Sequence, residues 1–151
     1  MLLNVIKTSA VAERMIGHVY HLLSKMASPD SEEQTVLARM ASEEKNHANV
    51  LLEALEHIPA GMEGYDYGAI VDCQTEFMAR LVLIQEKLEE ESFDWIAVLE
   101  ELEELENSLA DNLLLHLKLI LTDEQKSKAN KLSADSSNHA KRLRGLIDAR
   151  R

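Results

Sequence analysis

Leu37, Met40, Glu44, His47, Leu51 and Leu55 succeed one another at spacings of three and four, so one helix face carries all six. The four apolar members demand burial against neighbouring helices and take Glu44 and His47 inward with them. A carboxylate and an imidazole on a core-facing stripe need compensation, because burying an unpaired charge is costly. A metal ion is one compensator. Glu and His at i and i+3 point side by side and can grip the same cation from one helix wall.

The rest of the chain suits such a helix. Leu, Ala and Glu dominate, with two prolines and five glycines in 151 residues. That favours an all-helical protein, and the length fits one domain, 1–151, with a sizeable core. Acidic residues number 27 against 16 basic, a formal charge of −11. Nucleic acid and anionic membrane surfaces are therefore poor partners, since both need an excess of Lys and Arg. Cys73 is the only cysteine, which excludes internal disulfides and CxxC-type metal sites; it reads as a small, buried or half-buried apolar residue, with a reactive thiol as the alternative. With no signal-like segment and no apolar run of about 20 residues, a cytoplasmic location is expected.

The first helix is predicted over Leu3–Met26, broken by Ser28-Pro29-Asp30. Asp30 or Ser31 caps a second helix that ends near His57, before Pro59. Ala60–Gly68, rich in glycine, reads as a loop. A helical pattern over Ala69–Glu90 can form a separate crossover helix. Ser92 and Asp94 can cap a helix over Trp95–Leu121, and Thr122-Asp123-Glu124 opens the last, which runs to about Ala149. Two helix pairs joined by a long connection is the connectivity of ferritin-like bundles.

The other helices repeat the opening anomaly. Glu13 lies in the row Ile6, Ser9, Glu13, Ile16, Tyr20, Leu23. Glu103 and Glu106 lie one turn apart beside a leucine seam. His139 aligns with Leu132, Ser136, Leu143 and Leu146. Glu13 precedes Glu44 by 31 residues and Glu103 precedes Ser136 by 33, so the halves echo each other. Carboxylate oxygens with imidazole nitrogens suit iron, manganese or zinc. His18, His21, His57 and His116 have no carboxylate at ligand spacing on an inward stripe and read as structural or exposed.

These residues resemble the rubrerythrin branch of the ferritin-like superfamily: Glu13 with Tyr20, Glu44-Lys45-Asn46-His47 within Ser42–Ala48, Glu103 with Glu106, and His139. The resemblance covers most of the chain outside the loop and crossover. It implies an antiparallel four-helix bundle with a carboxylate-bridged di-iron centre. Glu13 would be a terminal ligand, Glu44 would bridge, and His47 would bind one metal. Glu103 would be the matching ligand from the third bundle helix, Glu106 the extra carboxylate of rubrerythrins, and His139 the ligand of the second metal. Tyr20 reads first as core packing, with a hydrogen-bond donor or a radical sink near the metal as the alternatives. Family members reduce peroxide or oxidise ferrous iron, and many are homodimers.

Two departures temper this expectation. Ser136 stands where the second bridging Glu belongs, and Asp135 lies about 100° away around the helix. One metal, two held weakly, or none are then open, as is a catalytically inactive scaffold. The cysteine-rich electron-transfer domain is also missing, so an external electron donor is expected. A weaker alternative is a partner-binding protein that uses the Trp95–Leu121 face as a coiled coil.

Overall fold

The computed structural model describes residues 2–54, 56, 66–90, 92–108 and 122–151. Among them are five helices and no strand: α1 (Leu2–Met26), α2 (Glu32–Ala54), α3 (Gly68–Glu89), α4 (Trp95–Ser108) and α5 (Asp123–Arg150). The latter half of the helix predicted over Trp95–Leu121, including His116, lies outside the described residues. So do Leu55, His57 and the predicted loop up to Tyr65. Gly68, expected to close that loop, opens α3 instead. No described helix is long and apolar enough to cross a membrane.

Local chemistry sets the junctions. Asp30 turns the chain at φ 61°, a left-handed conformation that a short polar side chain tolerates. Of the two candidate caps, Ser31 takes the role: its Oγ accepts from the Gln34 amide at 3.1 Å, and Gln34 Oε1 accepts from the Asp30 amide at 3.0 Å. Gln34 Nε2 also donates to the Ser24 carbonyl at 3.2 Å, tying the end of α1 to the start of α2. At α4 the cap is Asp94, whose Oδ1 accepts from the Ala97 amide at 3.2 Å.

Cross-helix pairs establish direction. Glu33 meets Arg150, Glu43 meets Arg142, and His47 meets Asp135, so α2 and α5 run antiparallel. Glu103 meets Arg144 and Glu106 meets His139, so α4 also opposes α5. The five-residue 27–31 connection makes α1 and α2 an antiparallel hairpin. Arg150 forks onto both Glu33 oxygens at 2.6 and 2.7 Å and lies 4.1 Å over the Trp95 ring. One guanidinium thereby holds the end of α5 beside the starts of α2 and α4.

Every described position of the predicted α1, α2 and α5 stripes is buried, and in α4 Leu99, Leu102 and Glu106 are buried too. The fifth helix, α3, leans on α1 through buried Gln74, whose Nε2 donates to the Val5 carbonyl at 2.7 Å and to Ser9 Oγ at 2.8 Å. Arg80 and Lys87 reach from α3 to Glu101 and Glu104 of α4. Cys73 is a half-buried free thiol.

Candidate metal centre

Helical spacing carries polar groups into the middle of this core. Glu13 comes from α1, Glu44 and His47 from α2, Glu106 from α4, and Ser136 and His139 from α5, and all are buried. Gly17 makes room: a Cβ added there would stand 3.0 Å from Glu44 Cβ and 3.4 Å from the Ala41 carbonyl. The missing side chain lets α1 close down on α2 where Glu44 turns inward.

The side chains form two groups that share Glu44. Glu13, Glu44 and His47 present ligand atoms within 4.8 Å of one another, and so do Glu44, Glu106 and His139. Ligand atoms about 2.1 Å from one ion span at most about 4.2 Å, so each group is close to gripping a single cation. Glu44 places Oε1 2.6 Å from His139 Nδ1 and Oε2 3.3 Å from His47 Nδ1. The imidazoles stack at 24° with centroids 5.6 Å apart. Glu13 Oε2 lies 3.7 Å from His47 Nδ1, and Glu106 Oε1 lies 3.4 Å from His139 Nδ1. Tyr20 donates its hydroxyl proton to Glu106 Oε1 at 2.5 Å.

Both imidazoles turn Nδ1 to the centre and Nε2 outward. Each Nε2 meets a carboxylate from the opposite helix: His47 meets Asp135 at 3.0 Å, and His139 meets Glu43 at 2.6 Å. Arg142 in turn donates to Glu43 at 2.7 Å. A carboxylate on the outer nitrogen fixes ring orientation and makes the inner nitrogen a better ligand, the usual support for metal-binding histidine.

The electrostatics follow from acids packed together out of water. Burial pushes the Glu44 carboxyl well above the ordinary carboxylate range, and the charges of Glu13 and Glu106 push it the same way. Burial acts upward on Glu13 as well, but its close approach to the Glu44 carboxyl and the His47 imidazole outweighs it and holds Glu13 low. For His47, burial disfavours the cation, yet the nearby Glu13 and Glu44 carboxyls prevail and lift it to about 10. His139 is also raised: Glu106 and Glu43 overcome burial. Burial and the Glu106 charge lift the Tyr20 phenol far above its usual value. Protons on the imidazoles and a bound cation are thus alternative compensators for the same carboxylates.

The donor set fits a metal on one further ground. Glu13 Oε2, Glu106 Oε2 and Ser136 Oγ are buried with no hydrogen-bond partner among the described residues. Each such group costs on the order of 1–3 kcal/mol, and a cation would satisfy the two carboxylate oxygens.

The structure does not bring Glu103 to this centre. Its side chain is part-exposed and pairs with Arg144 at 2.8 Å, so the place of α4 at the centre is left to the acid one turn further on. Glu106 takes that place. Sequence reasoning passed over Glu43 and Asp135. Glu43 lies beside its stripe among polar neighbours and Asp135 about 100° around its helix from Ser136, so periodicity points neither of them inward. The available signal was an acid immediately before position 44 in one half and position 136 in the other. Comparison of the chain with protein-family models, curated proteins and solved structures finds no match.

Proposed function

We propose that this chain is a ferritin-like, rubrerythrin-type four-helix bundle protein that binds iron and acts as a peroxidase or ferroxidase. The observation that carries this reading is the pair of buried acid–imidazole groups sharing Glu44. Glu13, Glu44 and His47 would hold one ion, and Glu44, Glu106 and His139 the other, with manganese or zinc as alternatives on donor chemistry. Bound ferrous ions would supply electrons for reducing oxygen or peroxide. The chain's own residues do the rest. Asp135 and Glu43 orient the imidazoles, Tyr20 holds a proton at Glu106 Oε1, and the surrounding apolar side chains limit water. An external donor would restore the electrons, and the working form would be a homodimer.

Ser136 favours a second reading. Its orphaned hydroxyl brings no charge where a second shared carboxylate would neutralise two divalent ions. A one-metal protein, or a scaffold that has lost turnover, follows from that gap. Metal analysis after purification without chelator separates the readings: about two ions per chain support the first and about one the second. Absence of iron, manganese and zinc together would end both metal-binding readings. Absorbance changes on adding ferrous iron and then air test the redox chemistry, and a bound but unreactive ion would leave only the second.

A further inference from the structure

Away from the buried centre, α1 has a wet face of unusual composition. Its one acidic residue is Glu13, which is buried. Lys7, Arg14, His18, His21 and Lys25 follow at spacings of seven, four, three and four along its exposed side. Three cations and two imidazoles with no exposed acid among them make a local reversal of sign in a chain of net charge −11.

Part of that stripe borders a groove of about 520 Å³ between α1 and α2. Arg14, His18 and His21 line one wall, Ser42 and Lys45 the other, with Gly17, Ala38 and Ala41 contributing little bulk. The volume is within the usual range for small-molecule sites. The pairing state of Arg14 is also distinctive. Arg39, Arg80, Arg142, Arg144, Arg150 and Arg151 each meet a carboxylate. Arg14 alone among the arginines has no ion pair with a described residue, and neither has Lys45. In a chain with 27 acids, two cations facing one concavity without a carboxylate are suited to receive an anion from solution.

We propose that this groove binds a small phosphate-bearing molecule. Phosphate offers several strong acceptor oxygens and more than one negative charge. The groove offers a guanidinium fork, an ammonium, two imidazoles and a hydroxyl. A lone carboxylate would leave most of these donors unused, and the concavity suits a compact ligand better than a broad acidic protein surface. The site is separate from the metal reading and stands without it.

Calorimetric titration of the protein as purified with inorganic phosphate at low salt tests the proposal. A nucleoside monophosphate and its parent nucleoside serve as further probes. Saturable binding of phosphate and of the monophosphate, but not of the nucleoside, is expected. Arg14→Gln combined with Lys45→Gln should weaken both at least tenfold while helical circular dichroism is retained. Lys131→Gln combined with Lys141→Gln removes equal charge from α5 and should change binding less than twofold. No saturation of phosphate by about 10 mM, where a ligand with Kd of about 1 mM is mostly bound, would overturn the proposal. Equal losses in the two double variants would do the same, since general charge and not the groove would then be responsible.

Discussion

The two imidazole neighbourhoods are near copies at their edges and different at their middle. His47 and His139 both turn Nδ1 inward and both give Nε2 to a carboxylate one helix away. Between them, however, α2 supplies Glu44 and α5 supplies Ser136. The copied parts orient rings, whereas the differing part supplies charge. The chain thus aims two histidines at one centre with a single carboxylate shared between them. Three inner acids over-neutralise one divalent ion and fall short of two.

Glu44 is the member both groups need, so its removal should have the largest effect. Glu44→Gln keeps size but removes the shared charge. Metal affinity should fall by about three orders of magnitude, as expected when about 4 kcal/mol of buried charge pairing is lost. Equilibrium titration with manganese or zinc checks this, and a loss under tenfold would break the shared-ligand idea. The same acid governs the pH response of chelator-treated protein. Glu44 and His47 hold protons more tightly folded than unfolded. Their contribution to stability is therefore fully present below their unfolded values and declines as pH rises, for His47 between about 6.5 and about 10. Thermal melts should show Tm falling across that interval, less steeply in Glu44→Gln.

Ser136→Glu tests the difference itself by supplying an acid from α5. Affinity for a second ion should rise at least tenfold, and stoichiometry should move towards two. In chelator-treated protein the same change should destabilise by about 1–3 kcal/mol, since another carboxyl is then buried among acids. Opposite signs with and without metal would be hard to obtain from packing alone. Unchanged stoichiometry would mean that Ser136 is not what limits the site.

Next come the outer carboxylates. Asp135→Asn and Glu43→Gln should each cost about tenfold in metal affinity, through loosened imidazoles. Glu43 is shared with Arg142, so its loss also strands a guanidinium and should cost more stability than Asp135→Asn. Equal affinity losses would confirm functional symmetry at the edges, and no loss from either would reduce both contacts to surface pairing.

Much of this arrangement was legible because period and burial go together in helices. Glu13, Glu44, His47, Ser136 and His139 fell on apolar stripes, and every one is buried. Stripes report which way a residue faces along its own helix, and little about what crosses from another. Asp135 and Glu43 act from the rims of α5 and α2, where the period predicts water, and only the antiparallel pairing of those helices sets them against the imidazoles. Gln74 gives no signal for a related reason: it stands among Ile70, Phe77 and Leu81 on the apolar face of α3, and its partners, Val5 and Ser9, lie on a helix far away in sequence.

Glu103 and Glu106 make the smallest prediction and the most direct test of that limit. Glu-rich sequence surrounds both, and the leucine seam passes between them, so periodicity alone admits either. In the structure Glu106 is fully buried against Tyr20 and His139, while Glu103 pairs with Arg144, itself 44% exposed, at 2.8 Å. An exposed ion pair contributes at most about 1 kcal/mol. Glu103→Gln should therefore change stability by less than about 1 kcal/mol and leave metal affinity within twofold. Glu106→Gln, at a buried position three residues on, should weaken the His139 side while sparing Glu13, Glu44 and His47. If instead Glu103→Gln removed metal and Glu106→Gln did not, α4 would have to be rotated by about 60°, and the pairing of His139 with Glu106 could not stand.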